Sequence, residues 1–162
     1  MRFMLDTILF YLNGINPWAI LTILAITPFG EARASIVYGI SQGLSPFYVF
    51  AASIILNILV VLPLLFMLRQ SWVMKIVHQV MGKKLTRLIE KNRKKFEIYE
   101  ELALFGFVAI PFLGTGAWTG ALLSTVLELD VKKSFIVIAL GIIAAGIIVS
   151  LGTTGAVYLL KG

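Results

Sequence analysis

The stretch Thr27-Pro28-Phe29-Gly30-Glu31-Ala32-Arg33 interrupts an apolar run and decides how this chain folds. Proline removes a backbone donor and clashes with the preceding helical turn, and glycine adds flexibility, so an unbroken helix is disfavoured here. Two charged residues, Glu31 and Arg33, follow the break at once, in surroundings that are otherwise uncharged. The break therefore predicts two short half-helices that form a hairpin over about residues 17–43.

Around this break the chain is apolar over long distances. Of its 162 residues, 59% are hydrophobic and 14% are charged, whereas a soluble domain usually carries about 25% charged residues. A membrane helix needs roughly 20 apolar residues to cross about 30 Å of hydrocarbon. Four intervals without any charge reach that length, and they cover residues 7–30, 34–68, 102–127 and 134–160. The composition therefore predicts an all-α integral membrane protein with a single membrane domain over residues 1–162.

The first repeat of this domain covers residues 1–68. After the hairpin, Leu44-Ser45-Pro46 predicts an interfacial turn, with proline in the first turn of the next helix. A transmembrane helix is predicted over residues 46–68, and Asn57 is one of its irregular positions.

The second repeat, residues 102–162, follows the same order. An apolar run breaks at Ile110-Pro111-Phe112-Leu113-Gly114-Thr115-Gly116, which predicts a hairpin over residues 102–127. A turn over residues 128–133 and a transmembrane helix over residues 134–160 complete this half. Its Pro-Phe-Leu-Gly corresponds to the Pro-Phe-Gly of the first break with one insertion. Interrupted apolar segments at corresponding places in two repeats indicate a transporter and its binding site.

The two repeats are joined by a basic hinge, residues 69–101, which contains nine of the fourteen lysine and arginine residues. Its apolar residues recur at helical spacing, so it is predicted to form amphipathic helices on the membrane surface. The positive-inside rule places the hinge in the cytoplasm, with anionic lipids rather than nucleic acid as its partner. A solvated linker that only sets topology is the simpler alternative.

This orientation makes the two halves an inverted repeat if each hairpin enters and leaves the membrane on one side. The Lys132 and Lys133 side chains are then cytoplasmic, as the charge rule requires. The rival arrangement has four simple spanning helices and places both lysines outside. Re-entrant backbone needs protein or a water-filled cavity around it, so the two hairpins are expected to meet.

The residue inventory excludes several kinds of chemistry. The chain has no cysteine and one histidine, His78, outside the apolar intervals. Disulfides, thiolate metal sites and a serine–histidine catalytic pair are therefore not expected. We predict no enzymatic activity, no catalytic residues, no metal and no cofactor, in a multi-pass protein of the cell membrane.

Two segments of the first half resemble the signature of the small multidrug export family. They are Pro28-Phe29-Gly30-Glu31-Ala32-Arg33-Ala34-Ser35-Ile36 and Gly43-Leu44-Ser45-Pro46. The stretch from Ala109 to Ala121 resembles the same signature. The resemblance implies a small integral membrane exporter. The layout is more distantly similar to DedA-type membrane proteins, which have two re-entrant hairpins and are linked to lipid translocation. The arginines that flank the second proline there have no counterpart at Val108 and Gly114, so phosphate-lipid binding is not implied.

The candidate site lies at the two breaks. Ionisable residues inside a membrane are costly and mark functional sites, so Glu31 is predicted to carry a coupling proton. The alternative is a network around Glu31 and Arg33 that only holds the hairpin. The second break exposes backbone N–H groups and predicts an anion site. The full set of candidate substrate- and ion-binding residues is Pro28, Gly30, Glu31, Arg33, Asn57, Pro111, Gly114, Thr115, Gly116 and Trp118.

Several alternatives remain open at this level. Trp118 serves either packing or gating, and Asn57 either satisfies the nearby backbone break or binds substrate. Small residues along the last helix, from Gly141 to Gly155, fit internal packing or a homodimer seam. We expect a proton-coupled exporter of small molecules. A lipid translocase or scramblase for an anionic headgroup and a non-transporting membrane scaffold are the alternatives.

Overall fold

The computed structural model describes residues 16–70, 75, 99–111 and 116–161. All regular structure in these ranges is helical, which confirms the predicted all-α class for this part of the chain. Most of the predicted hinge lies outside the described residues, and so do Gly114 and Thr115. The helices are α1 (Pro17–Ile26), α2 (Glu31–Ser41), α3 (Pro46–Leu68), α4 (residues 99–109), α5 (Ala117–Val126) and α6 (Val131–Lys161).

Two of these helices, α3 and α6, are long and apolar enough to cross a membrane, each with a mean hydropathy of 2.7. The bounds of α3 are those predicted from the sequence. The start of α6 was predicted wrongly, because the helix begins at Val131 and not at residue 134. Asp130 causes the difference: its Oδ1 accepts the backbone N–H of Lys133 at 3.0 Å and caps the first turn.

The first break folds α2 back onto α1. Asn16 caps the start of α1 by accepting the Trp18 N–H at 2.9 Å. The Ser35 hydroxyl of α2 donates to the Leu21 carbonyl of α1 at 3.0 Å, across the hairpin. Gly30 permits this close return, since a Cβ there would lie 2.6 Å from the Leu24 carbonyl oxygen.

The second break also brings two helices together. A Cβ on Gly120 of α5 would lie 2.6 Å from a methyl group of Val108 on α4. A Cβ on Gly141 of α6 would lie 2.8 Å from the same valine. Glycine at both positions therefore lets α4 approach α5 and α6 closely, as small residues do in membrane proteins.

The turn that ends each hairpin has the same hydrogen bonds in both halves. In the first turn, the Gly43 N–H bonds to the Ile40 carbonyl and the Leu44 N–H to the Gly39 carbonyl, at 3.0 and 3.1 Å. In the second turn, the residues 85 positions later make the same two bonds, at 3.1 and 3.0 Å. Glu128 takes the place of Gly43 and keeps its left-handed conformation, with φ 54° against 80°.

The buried positions of the two halves also correspond. Before the breaks, the buried residues Leu104 and Val108 lie 83 positions after Leu21 and Ala25, the buried residues to which they correspond. After the breaks, corresponding buried residues lie 85 positions apart. Those of the first half are Ala32, Ser35, Ile36, Gly39, Ile40, Val49, Ser53 and Asn57. Their counterparts, in the same order, are Ala117, Gly120, Ala121, Ser124, Thr125, Ser134, Ile138 and Ile142. The second break is thus two residues longer than the first, and the single insertion inferred from the Pro-Phe motifs was wrong.

The two ends of the hinge lie at the same end of the molecule. Arg69, directly after α3, donates to the carbonyl of Leu129 in the α5–α6 turn. Lys133, in the first turn of α6, forms an ion pair with Glu101 at 3.1 Å. The α2–α3 turn lies instead beside the last turns of α6, where it lines an apolar groove of about 470 Å³ with Tyr158.

The small residues of α6 divide into two groups. Gly146 lies inside the molecule, where a Cβ would be 2.5 Å from the Cδ1 atom of Ile54 on α3. Apart from its chain neighbours and the backbone of α6 itself, a Cβ on Gly152 or Gly155 would have no atom of the described residues within 4 Å. The first group serves internal packing, and the homodimer seam remains a prediction for the second.

Candidate functional site

Glu31 joins the two hairpins. Its Oε2 atom accepts the backbone N–H of Ala117 at 3.1 Å, and its Oε1 atom accepts that of Trp118 at 3.2 Å. These are the first two N–H groups of α5, which have no acceptor within their own helix. Glu31 is buried and has a left-handed φ of 54°. A carboxylate of the first hairpin therefore caps the positive end of a helix in the second.

Gly116 makes room for this carboxylate. A Cβ at Gly116 would lie 1.5 Å from Oε2 of Glu31, so a larger residue would displace the acid. The backbone of Gly116 is extended, with φ −140° and ψ −152°, a conformation open to other residues. The requirement for glycine is therefore one of space and not of backbone strain.

Arg33 binds the other helix of the second hairpin. Its guanidinium donates to the carbonyl of Val108, in the last turn of α4, and to that of Pro111 at 3.5 Å. The last carbonyls of a helix lack helical partners and carry its partial negative charge. The two charged residues of the first break thus satisfy the two helix ends of the second, the acid at the positive end and the arginine at the negative end.

Asn57 satisfies the backbone of the first break. Its Nδ2 donates to the carbonyl of Ala25 at 2.8 Å. In an unbroken helix this carbonyl would accept the N–H of Phe29, which lies beyond the end of α1. Nearby, the hydroxyls of Ser35 and Ser53 are hydrogen-bonded to each other at 2.7 Å. The Oδ1 atom of Asn57 is buried and has no partner among the described residues.

A small cavity of about 10 Å³ lies between these groups, with space for about one water molecule. Its lining residues come from both halves of the chain: Glu31, Ala32, Arg33, Asn57, Val108, Ala117, Ile142 and Ala145. Two pairs among them, Ala32 with Ala117 and Asn57 with Ile142, are corresponding positions at the 85-residue spacing.

The structure brings some of the remaining candidate residues to this contact. Gly116 lies against the acid, Pro111 contributes its carbonyl to Arg33, and Trp118 contributes its N–H while its side chain packs against the core. Pro28 lies exposed at the tip of the first break. The N–H groups of Ala117 and Trp118, just after the second break, are bonded to the protein's own carboxylate, and the anion site expected at Gly114, Thr115 and Gly116 remains a prediction. No residue pattern had indicated the Val108 carbonyl as the arginine's acceptor.

The geometry and hydropathy define a small helical membrane protein in which an acid and an arginine at one helix break bind backbone groups at the other. A family model described as "Putative small multi-drug export protein" matches residues 31–148, which is most of the chain. The chain therefore belongs to the small multidrug export family, as its motifs indicated. No curated protein and no solved structure was found to match it.

Proposed function

We propose that this protein is a proton-coupled exporter of small molecules, in which Glu31 carries the coupling proton. The observation that supports this most directly is the bond of the Glu31 carboxylate to the Ala117 and Trp118 N–H groups. Among the groups at this contact, the carboxyl is the one that can change its charge, since arginine stays protonated.

Proton binding at Glu31 changes the strength of the contact between the hairpins. A charged carboxylate accepts hydrogen bonds on both oxygens and is favoured by the positive end of α5. A protonated carboxyl is neutral and uses one oxygen as a donor, so it holds the α5 amides less well. The hairpins then separate more easily at Glu31 while Arg33 remains charged. A contact of this kind can alternate between two arrangements, as a carrier requires.

The membrane arrangement that goes with this function is an inverted repeat of re-entrant hairpins. Helices α1 and α2 have 10 and 11 residues. At 1.5 Å per residue each reaches about 15 Å, or half of the roughly 30 Å hydrocarbon core. Glu31 lies against Gly116, its own counterpart at the 85-residue spacing. Corresponding residues meet in this way where a pseudo-two-fold axis passes between repeats.

The same arrangement places residues 69–101 and Lys132 together on the cytoplasmic side. The bond between Arg69 and Leu129 and the ion pair between Glu101 and Lys133 support this, because both join the hinge to the α5–α6 turn. The nine basic residues of the hinge then face anionic lipids of the inner leaflet.

The topology can be tested by cysteine labelling, because the native chain has no cysteine. We expect Lys132→Cys to react with an impermeant maleimide only after the cells are opened. Gln42→Cys, in the exposed α2–α3 turn, is the matched variant and is expected to react in intact cells. Labelling of Lys132→Cys from outside would contradict the double-hairpin arrangement.

The transport function can be tested in proteoliposomes that contain a pH-sensitive dye. A panel of cationic and anionic fluorescent dyes is supplied against a pH gradient, and dye flux and proton flux are recorded together. Glu31→Gln is expected to abolish proton-linked dye flux while the protein still inserts and folds. Glu128→Gln is the matched control, because Glu128 has the same φ of 54° and lies outside the contact.

The alternative functions give different results in the same preparation. Flipping of a fluorescent anionic phospholipid, without dye flux, would favour a lipid translocase. Proton-linked flux that is unchanged in Glu31→Gln would show that the acid only holds the hairpins together. Absence of both kinds of flux in the native protein would favour a membrane scaffold.

A further inference from the structure

We infer that Asn57 accepts a hydrogen bond from Glu31 when Glu31 is protonated, so that Glu31 has two alternative partners. The charged acid is held by the N–H groups of Ala117 and Trp118. The neutral acid donates a hydrogen bond directly to the Oδ1 atom of Asn57. The inference rests on the proposed role of Glu31 in proton coupling and adds a second residue to the proton site.

The first step concerns the unpartnered oxygen of Asn57. The residue is 2% exposed, and its Oδ1 atom has no hydrogen-bond partner among the described residues. Burying an acceptor without a partner is costly, so native proteins seldom leave one in this state. The Nδ2 atom is already bonded to the Ala25 carbonyl, which fixes the orientation of the amide and leaves the oxygen available.

The second step concerns the space between the two side chains. Glu31 and Asn57 line the same cavity, whose volume of about 10 Å³ leaves little space between the two side chains. A charged carboxylate offers only acceptors and cannot bond to an amide oxygen, whereas a protonated carboxyl has one O–H donor. The two side chains can therefore bond to each other directly only when Glu31 carries a proton.

The third step concerns the other groups around the acid. Besides Glu31, the charged residue that lines the cavity is Arg33 on the same helix, and its guanidinium is bonded to carbonyls at the end of α4. The lining residues of α4, α5 and α6 are Val108, Ala117, Ile142 and Ala145, which do not titrate. Within this cavity, Asn57 of α3 supplies the available side-chain acceptor.

A spectroscopic titration can test the inference without a transport assay. The chain has three tryptophans, and Trp118 donates its backbone N–H to Glu31. A background with Trp18→Phe and Trp72→Phe leaves Trp118 as the fluorescent reporter. Its emission in lipid nanodiscs is recorded against pH, and we expect a transition that Glu31→Gln abolishes.

In this background Asn57→Leu is expected to lower the midpoint of the transition by about 0.7 pH unit, since it removes the hydrogen-bond acceptor of the protonated acid. This shift is about fivefold in proton affinity and corresponds to about 1 kcal/mol. Asn57→Asp retains the size of the side chain and adds a like charge, so it is expected to raise the midpoint. Ser53→Ala, one turn earlier on α3, is the control and is expected to leave it unchanged.

The outcomes separate the inference from the function on which it rests. The role of Asn57 is overturned if Asn57→Leu leaves the midpoint unchanged, and Glu31 then remains as the proton carrier. If the leucine variant does not fold, an unchanged midpoint in Asn57→Asp has the same meaning. A shift of the same size in Ser53→Ala also overturns it. If the transition does not depend on Glu31 at all, the proposed function and the inference both fail.

Discussion

The contact between Glu31 and Gly116 makes a prediction whose size can be worked out from the structure. In Gly116→Ala the new methyl group would lie 1.5 Å from Oε2, 2.2 Å from Cδ and 2.5 Å from Oε1 of Glu31. The backbone of Gly116 suits alanine, so the substitution introduces no conformational strain of its own. The methyl group must therefore displace the carboxylate from α5.

The displacement breaks two hydrogen bonds, those from the N–H groups of Ala117 and Trp118 to the carboxylate. Hydrogen bonds to charged groups contribute about 1.5–3 kcal/mol each. Part of this free energy is regained when the displaced carboxylate finds other hydrogen-bond donors or takes up a proton. We therefore expect Gly116→Ala to lower the free energy of unfolding by about 2–4 kcal/mol at neutral pH.

The assay is reversible unfolding in mixed micelles, followed by circular dichroism as the denaturing detergent is increased. Gly155→Ala is the control, because a Cβ at that position would have no atom of another described helix within 4 Å. This control is expected to be neutral or to stabilise α6 by up to about 1 kcal/mol. The same pair of variants is then measured in a Glu31→Ala background.

Without the acid there is nothing for the methyl group of Gly116→Ala to displace, so its cost is expected to fall to nearly zero. The double-mutant cycle should return a coupling energy of about 2–4 kcal/mol between positions 31 and 116. An equal cost in both backgrounds would show that the substitution acts on something other than Glu31 and would refute this reasoning.

Three further predictions use the same unfolding assay. Arg33→Met removes the donor to the Val108 and Pro111 carbonyls and is expected to cost about 2–3 kcal/mol, and Arg33→Lys, which keeps a charge, should recover part of that. Gly146→Val is expected to cost about 1–3 kcal/mol, because its side chain would overlap Ile54, whereas Gly152→Val should cost little. The pKa of Asp130 is lowered, chiefly by the hydrogen bond from the Lys133 N–H, so the charged Asp130 stabilises the fold above about pH 4. This stabilisation is lost as the pH falls through the folded-state pKa of Asp130. Asp130→Asn should abolish this acid dependence of stability, and an unaltered pH profile in that variant would contradict the prediction.

The sequence predicted the places where the chain breaks but not what meets there. Proline, glycine and long uncharged intervals located both hairpins, and Pro46 and Arg69 bounded α3 correctly. The scarcity of charge singled out Glu31 and Arg33. Their partners are backbone groups more than 70 residues away. Peptide N–H and carbonyl groups look alike at every position, so no residue type reveals which of them a distant side chain will bind.

The two errors at the second half have local causes. Asp130 is a good N-cap residue, and its position before α6 was available in the sequence, but the whole stretch of residues 128–133 was interpreted as a turn. The spacing of the breaks was judged from Pro-Phe-Gly and Pro-Phe-Leu-Gly. Burial and hydrogen bonding, which need the folded chain, show a difference of two residues instead.

The pairing of Glu31 with Gly116 also bears on how such a protein can be encoded. In a dimer of two identical halves, each acid would meet the same acid of its partner, and two buried carboxylates side by side repel each other. Two glycines would meet without repulsion but would leave the N–H groups of both helices uncapped. One acid facing one glycine avoids both faults, and it requires halves of different sequence. Covalent joining of the halves in a single polypeptide guarantees that every molecule contains one of each.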